Sequence, residues 1–239
     1  MKQSNRHIVT AYEEALKKLR SSVVEMAGAA ETQMDGALAC LVQRDPALAG
    51  EVVRGDGRLD REEQEIEAAC MRLLVLRQPV ADDLREVMAA LKMAGNLERV
   101  GDYAANIAKR SAALRDLPET PALAALPKLG RLVRERLGTA IDAYVEGDAQ
   151  QALQVWRNDD EVDALYSSLV QEIMQSAGAA PGRFAGHMHL LFMAKNLERI
   201  GDHATNIAEI VHFVVTGQPL ADQRPKADEA SGLTVRQET

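Results

Sequence analysis

Two stretches of the chain, NLERVGDYAANIA from Asn96 and NLERIGDHATNIA from Asn196, agree at ten of thirteen positions. Each carries a glutamate and an aspartate four residues apart, Glu98 with Asp102 and Glu198 with Asp202. Upstream of each lies a second acidic pair of the same spacing, Asp56 with Asp60 and Asp159 with Asp163. On a helix, residues at i and i+4 share one face, so each pair presents two carboxylates one turn apart. An all-oxygen donor set of this kind, without cysteine or a repeated histidine, suits hard cations: magnesium, manganese, calcium or iron. The competing structural reading is a solvated helix face, with Arg99 and Arg199 pairing to Asp102 and Asp202 at i,i+3.

The elements that must position these residues are helical. Aromatic residues make up only 3% of the 239 residues, while alanine, leucine and straight-chain charged residues dominate. Such side chains lose little rotamer freedom in a helix and offer few β-branched surfaces for strands. Apolar residues recur at i, i+3, i+4 and i+7 between proline and glycine breaks. This pattern predicts an all-α chain of six helices: about Arg6–Arg44, Pro46–Arg77, Val80–Leu114, Pro121–Glu146, Asp148–Ala177 and Arg183–Thr216. Asp45 and Pro46 supply an N-cap and an N1 proline for the second helix.

The two halves are copies of one plan. A shift of 103 residues places Asp45 on Asp148, Asp56 on Asp159 and Asp60 on Asp163, and a shift of 100 places Glu98 on Glu198 and Asp102 on Asp202. The chain therefore reads as a tandem duplication of a three-helix unit. Residues 1–116 and 117–216 form two bundles with long antiparallel helices, divided at DLPETPALAALP, and a polar tail over 217–239 is expected to be disordered.

Hairpin symmetry brings the acidic pairs together. Asp56 and Asp102 each lie 23 residues from Pro79, and Asp60 and Glu98 each lie 19 from it. In the second half, Asp159 and Asp202, and likewise Asp163 and Glu198, are symmetric about the Ala180–Pro181 bond. Helices packed about 8–10 Å apart bring facing side chains within reach, so four carboxylates per half converge on one patch. Four like charges so placed are costly unless protonated or neutralised by a cation. The expected metal residues are thus Asp56, Asp60, Glu98 and Asp102 in one half, and Asp159, Asp163, Glu198 and Asp202 in the other. Asn106 and Asn206 extend the row by a turn and could donate a carbonyl or orient a carboxylate. Leu97, Val100, Ala104 and Ile107 form the neighbouring apolar stripe and belong to the core.

Other residues carry weaker signals. His203 follows Asp202, but Tyr103 holds the matching position, so His203 is not expected to be a ligand, and His7, His187 and His189 have no convergent partner. Cys40 and Cys70 read as small buried hydrophobes, and Trp156 as a packing residue. Gly55 and Gly57 flank Asp56 within a helix, marking either a local bend or tolerated weakness.

Several functions are disfavoured. A net charge of −8 argues against nucleic acid as a partner. The N-terminus lacks the apolar segment of a signal peptide and no long apolar run exists, so a cytoplasmic protein without membrane insertion is expected. A di-iron oxidase would need Glu-x-x-His on two helices. Glu209 and His212 supply it once, whereas Lys109 and Ala112 stand at the matching positions. No Walker loop, nucleophile elbow or catalytic triad pattern is present.

NLERVGD and NLERIGD with their trailing NIA, two three-helix units, and acidic x-x-x-Asp pairs four times over resemble the PhoU family of bacterial phosphate-signalling regulators. The likeness extends over the chain up to the tail. It implies two helical bundles with metals, iron, manganese or magnesium, on the eight carboxylates named above. It also implies a non-enzymatic negative regulator of the phosphate-starvation response, an adaptor between the ATPase subunit of a high-affinity phosphate ABC transporter and a phosphate-sensing histidine kinase. A homodimer is expected. Open coordination positions on such ions could accept a partner's carboxylate or a phosphate. The alternatives are a carboxylate-bridged metal-dependent oxidase and a helical regulator of another transporter.

Overall fold

The computed structural model describes residues 2–77, 79–115, 118, 120–179, 182, 184–220 and 224. Its helices are α1 (Lys2–Gln43), α2 (Pro46–Arg77), α3 (Ala81–Ala113), α4 (Pro121–Glu146), α5 (Ala149–Arg157), α6 (Asp159–Ala179) and α7 (Phe184–Thr216). No strand occurs among the described residues, as the composition predicts. No helix among them is long and apolar enough to cross a membrane.

Local chemistry sets the helix ends. Arg44 turns left-handed with φ 51°, closing α1. Asp45 then caps α2 through its Oδ1, which accepts from the Ala47 N–H at 2.8 Å. Thr120 caps α4 by accepting from the Leu123 N–H at 3.1 Å, ahead of the N1 proline Pro121. Gly147 ends α4 at φ 69°, a conformation that glycine adopts without a Cβ penalty. Asp148 then caps α5 by accepting from Gln150 and Gln151. Each such cap contributes roughly 1 kcal/mol.

One helix differs from expectation. The single helix expected over Asp148–Ala177 is divided at Asn158, whose φ of −100° and ψ of 20° end α5 before α6 begins at Asp159. The sequence Asn158-Asp159-Asp160-Glu161 explains the break: asparagine and aspartate compete with the helical backbone, and three acids favour a new N-terminus. Asp159 is thereby placed in the first turn of α6 rather than in mid-helix. The copy in the first half, Asp56, stays within an unbroken α2.

Gly55 marks no break in α2. The Gln33 side chain of α1 donates to the Val52 carbonyl at 2.5 Å, and a Cβ on Gly55 would lie 2.7 Å from Gln33 Oε1. The glycine therefore admits a neighbouring helix. Gly57 has only the end of Arg61 nearby, so nothing in its surroundings requires a glycine.

α1, α2 and α3 pack on one another, as do α4, α5, α6 and α7, and the halves meet through α3 against α7 and α1 against α4. The apolar core is continuous across this junction. Leu97, Val100, Ala104 and Ile107 are fully buried, as are Leu197, Ile200, Ala204 and Ile207. Full burial of each large aliphatic side chain stabilises by roughly 1.5–3 kcal/mol. Cys40 and Cys70 are buried free thiols, in accord with the sequence reading.

A charged clamp closes the junction of α1 and α4. Arg134 donates from Nε to Asp35 at 2.8 Å and from Nη1 to Glu31 at 2.8 Å. This fork is worth more than an isolated surface pair because its geometry is bidentate over two carboxylates. Arg134→Ala is expected to cost about 1 kcal/mol in urea unfolding, with half of that or less for Arg134→Lys.

Beyond α7, Gly217 turns left-handed at φ 72°. The Gln218 carbonyl lies 3.2 Å from His212 Nδ1, and Pro219 and Leu220 line a cavity of about 410 Å³ with Met88 and Phe213. Of the tail expected to be disordered, 217–220 and Arg224 are described, and the remainder lies outside the described residues.

Candidate metal centres

The first acidic patch is built on the α2–α3 hairpin. Pro79 lies midway between the end of α2 and the start of α3, at the predicted turn centre. Asp56 and Glu98 are half-buried, Asp102 likewise, and Asp60 is exposed. Burial, then the charges of Asp102 and Asp60, push the Asp56 carboxyl above its ordinary range. Burial and the nearby Asp102 push Glu98 up to about 7, with Glu63 and Asp60 adding to the repulsion and Arg99 opposing it. These couplings put the four predicted carboxylates within electrostatic reach of one another.

The patch holds a fifth acid. Glu63 is raised by burial and by Glu67, Asp60 and Asp102, against Arg99. It lies 16 residues before Pro79 and so faces Gly95, 16 after it; a Cβ on Gly95 would sit 3.5 Å from Glu63 Oε1. Its signal was present in the sequence, since 56, 60 and 63 share a helix face. The second half has Tyr166 where the first has Glu63, so a search for matched acids passes over it.

A glycine sets the closeness of the two helices. A Cβ on Gly101 would overlap Leu59 Cδ1 and lie 3.3 Å from Asp56 Oδ1. Gly201 holds the matching place, where a Cβ would meet Val162 Cγ1 at 3.0 Å. The glycine within each repeated phrase thus lets the following aspartate come level with the facing helix.

The second patch spans α6 and α7, and Ala180 and Pro181, the predicted turn centre, lie outside the described residues. Asp159, Asp163 and Glu198 are all buried here, and Asp202 is half-buried. Two cations enter this patch. Lys195 donates to Glu198 at 2.8 Å. Arg224 donates from Nε to Asp159 Oδ2 at 2.6 Å, and from Nη2 to Asp159 Oδ1 and Asp202 Oδ1, both at 2.7 Å. The Thr205 hydroxyl also donates to Asp159 Oδ1 at 2.7 Å. Burial raises Glu198, Lys195 opposes that rise, and Asp202 and Asp163 add to it.

Sequence reasoning missed Thr205, Lys195 and Arg224. Their matching residues in the first half are Ala105 and Gly95, and Arg224 has none, so the repeat conceals all three. The i,i+3 pairing expected of a solvated helix face is realised once, between Arg99 and Asp102 at 3.2 Å. Arg199 instead donates to the Tyr103 hydroxyl at 3.0 Å. Asn206 donates to Asn96 at 3.3 Å, at the junction of α3 and α7, rather than to a carboxylate, and Asn106 is exposed. His203 Nδ1 lies 2.8 Å from Asn96 Oδ1, and its ring packs on Tyr103 at 5.7 Å. Trp156 is buried, donating to Glu209 at 2.9 Å.

The donor chemistry fits hard cations. The patches are rich in carboxylate oxygen, the first is held with like charges in mutual repulsion, and the second already takes a guanidinium between Asp159 and Asp202. Among the described residues, no three His, Cys, Asp or Glu side chains are gathered closely enough to hold an ion as they stand. Binding would therefore require these carboxylates to change rotamer.

Comparison with known proteins bears on the whole chain. The PhoU domain family matches residues 23–111 and again residues 126–211. The phosphate-specific transport system accessory protein PhoU homolog of Caulobacter vibrioides is 47% identical over 226 residues, covering 94% of this chain and 98% of its own. The phosphate-specific transport system accessory protein PhoU of Escherichia coli is 33% identical over 214 residues, covering 90% and 89%. The crystal structure of PhoU from Pseudomonas aeruginosa superposes with a TM-score of 0.83 at 33% identity, over 87% of this chain and all of that one. That of the phosphate transport system regulatory protein PhoU from Streptococcus pneumoniae gives 0.79 at 26% identity, over 87% and 99%. With its two matched domains, its duplicated helical hairpins and relatives spanning nearly its full length, the chain belongs to the PhoU family.

Proposed function

We propose that this protein is the accessory regulator of a phosphate-specific transport system, acting without catalysis of its own to keep the phosphate-starvation response off when phosphate is plentiful. The observation that supports this reading is the near full-length likeness to relatives named as accessory proteins of the phosphate-specific transport system. In it, the protein is a cytoplasmic homodimer that links the transporter's ATPase subunit to a phosphate-sensing histidine kinase. It makes no use of nucleic acid and does not insert into the membrane.

The eight carboxylates hold divalent or trivalent hard ions, iron, manganese or magnesium, across the α2–α3 and α6–α7 hairpins. What supports this is the sharing of one patch by Asp56, Asp60, Glu98 and Asp102, and the facing of Asp159 and Asp202 across one cation. A bound ion neutralises charges that otherwise repel, and it ties α2 to α3 and α6 to α7 into rigid docking faces. Glu63 joins the first centre as a fifth oxygen donor, and Thr205 orients Asp159 in the second.

Deletion of the gene tests the regulatory role. Cells lacking the protein are expected to express phosphate-starvation genes in high phosphate, and a wild-type copy should restore repression. Normal repression in the deletion strain would count against the reading. Co-purification of the ATPase subunit and of the kinase, each with variants of one hairpin at a time, assigns the partners to faces.

A further inference from the structure

We infer that Arg224 is the resident cation of the second carboxylate site, so that docking of the carboxy-terminal segment and binding of a divalent ion at Asp159 and Asp202 are competing states. The inference rests on the proposed metal site and adds to it a ligand from the chain itself. The guanidinium makes three charge-assisted hydrogen bonds of 2.6–2.7 Å to two carboxylates on different helices. Its side chain retains only 16% of its exposure, and Asp159 only 4%. A planar fork satisfied on two edges in a half-buried site is among the stronger arginine–carboxylate arrangements.

The path of the chain leads there. The left-handed Gly217 reverses the direction at the end of α7, and the Thr216 hydroxyl accepts from the Gln218 N–H at 3.1 Å. Pro219 and Leu220 then lie in the groove between α3 and α7. From Asp202 to Thr216 the helix rises about 21 Å at 1.5 Å per residue. The seven steps from Gly217 to Arg224 reach at most about 24 Å. The distance suffices for Arg224 to return to the level of Asp202.

Competition follows from the atoms used. Arg224 occupies both Asp159 oxygens and one Asp202 oxygen, the same lone pairs that an ion bridging α6 and α7 needs. An ion binds only the fraction of molecules with Arg224 released, so its apparent affinity is reduced by that fraction. By the same linkage, the ion expels the segment. Among the described residues, no comparable cross-helix fork enters the first patch, where Arg99 pairs with Glu98 and Asp102 of its own helix.

The test uses full-length, chelator-treated protein. Mn²⁺ quenching of Trp156, the sole tryptophan and three residues before Asp159, reads the second site. Arg224→Ala is expected to tighten that apparent affinity about tenfold or more, with Arg224→Lys between it and wild type. In wild type, Mn²⁺ should speed hydrogen exchange of the Gly217 and Gln218 amides, which the docked segment keeps hydrogen-bonded. Equal or weaker Mn²⁺ affinity in Arg224→Ala, or no change in exchange on binding, would overturn the competition and leave the metal site standing. Absence of Trp156-linked binding in both wild type and Arg224→Ala would overturn both.

Discussion

Metal-free protein carrying Glu98→Gln is expected to be more stable than wild type at pH 8 and equal to it near pH 4.5. The order at pH 8 should reverse when Mn²⁺ is added. Glu98 has a carboxyl raised to about 7 in the folded chain, by burial first and by Asp102 next. In the unfolded chain it returns to about 4.5. The folded state therefore binds more protons across that window, and the stability contributed by the neutral acid, fully present below pH 4.5, is lost as pH rises through 7. Glutamine stays neutral throughout and keeps it. After allowance for solvent screening of a carboxyl at the edge of the patch, the gain at pH 8 is on the order of 1–2 kcal/mol. Each kcal/mol corresponds to roughly 2–4 °C in Tm for a domain of this size. Thermal unfolding in chelator at the two pH values measures it, and an unchanged pH slope in the variant would count against the coupling.

Metal inverts the comparison because it stabilises only the state that binds it. With Mn²⁺ in excess, wild type gains in proportion to the logarithm of saturation, while Glu98→Gln binds more weakly. Each tenfold loss of affinity removes about 1.4 kcal/mol of that gain. A Tm for Glu98→Gln that remains above wild type in saturating Mn²⁺ would exclude Glu98 as a ligand.

The two hairpins are not equivalent, although the repeat makes them look so. Where the first half has Glu63 facing Gly95, the second has Tyr166 facing Lys195, whose ammonium lies 5.2 Å from the tyrosine ring centroid. Among the described residues, the first patch thus gathers five acids against one ion-paired cation, Arg99, while the second sets four acids against two, Lys195 and Arg224. If the patches bind ions as proposed, the repulsion relieved is larger in the first, which is expected to fill first as Mn²⁺ is raised in a titration.

The all-α class, the helix bounds within a few residues, and the α2–α3 turn at Pro79 were legible from periodicity and from prolines. Those signals are local: apolar spacing and a missing N–H act within a few residues. Hairpin symmetry then extended them to the meeting of Asp56 with Asp102. The break at Asn158 was not legible, because an apolar period continues across it and the competition of Asn and Asp with the helix is settled by packing. Arg224 could not be found by comparing halves, since it comes from outside the repeat and 22 residues beyond its partner Asp202. Convergent carboxylates call for a cation, and in the second half the chain itself supplies one in Arg224.

Gly101→Val is expected to cost about 2–3 kcal/mol in urea unfolding and to abolish tight metal binding at the first patch. Gly101 is buried where α3 crosses α2, and a single added carbon already overlaps Leu59, itself fully buried. Overpacking of a tight core typically costs 1–3 kcal/mol, and valine adds two further methyls that Leu59 and Asp56 must both avoid. The relief available is a shift of α3 away from α2, which also separates Asp102 from Asp56. Stability and metal affinity should therefore fall together. Gly201→Ala meets only a marginal 3.0 Å approach to Val162 and is expected to cost about 1 kcal/mol or less. Gly28→Ala, on the exposed face of α1 with nothing within 4 Å, should change in the opposite sense and stabilise by about 0.5–1 kcal/mol through helix propensity alone. If Gly101→Val unfolded at the same urea concentration as wild type, the glycine in the repeated phrase would not be what sets the spacing of the hairpin.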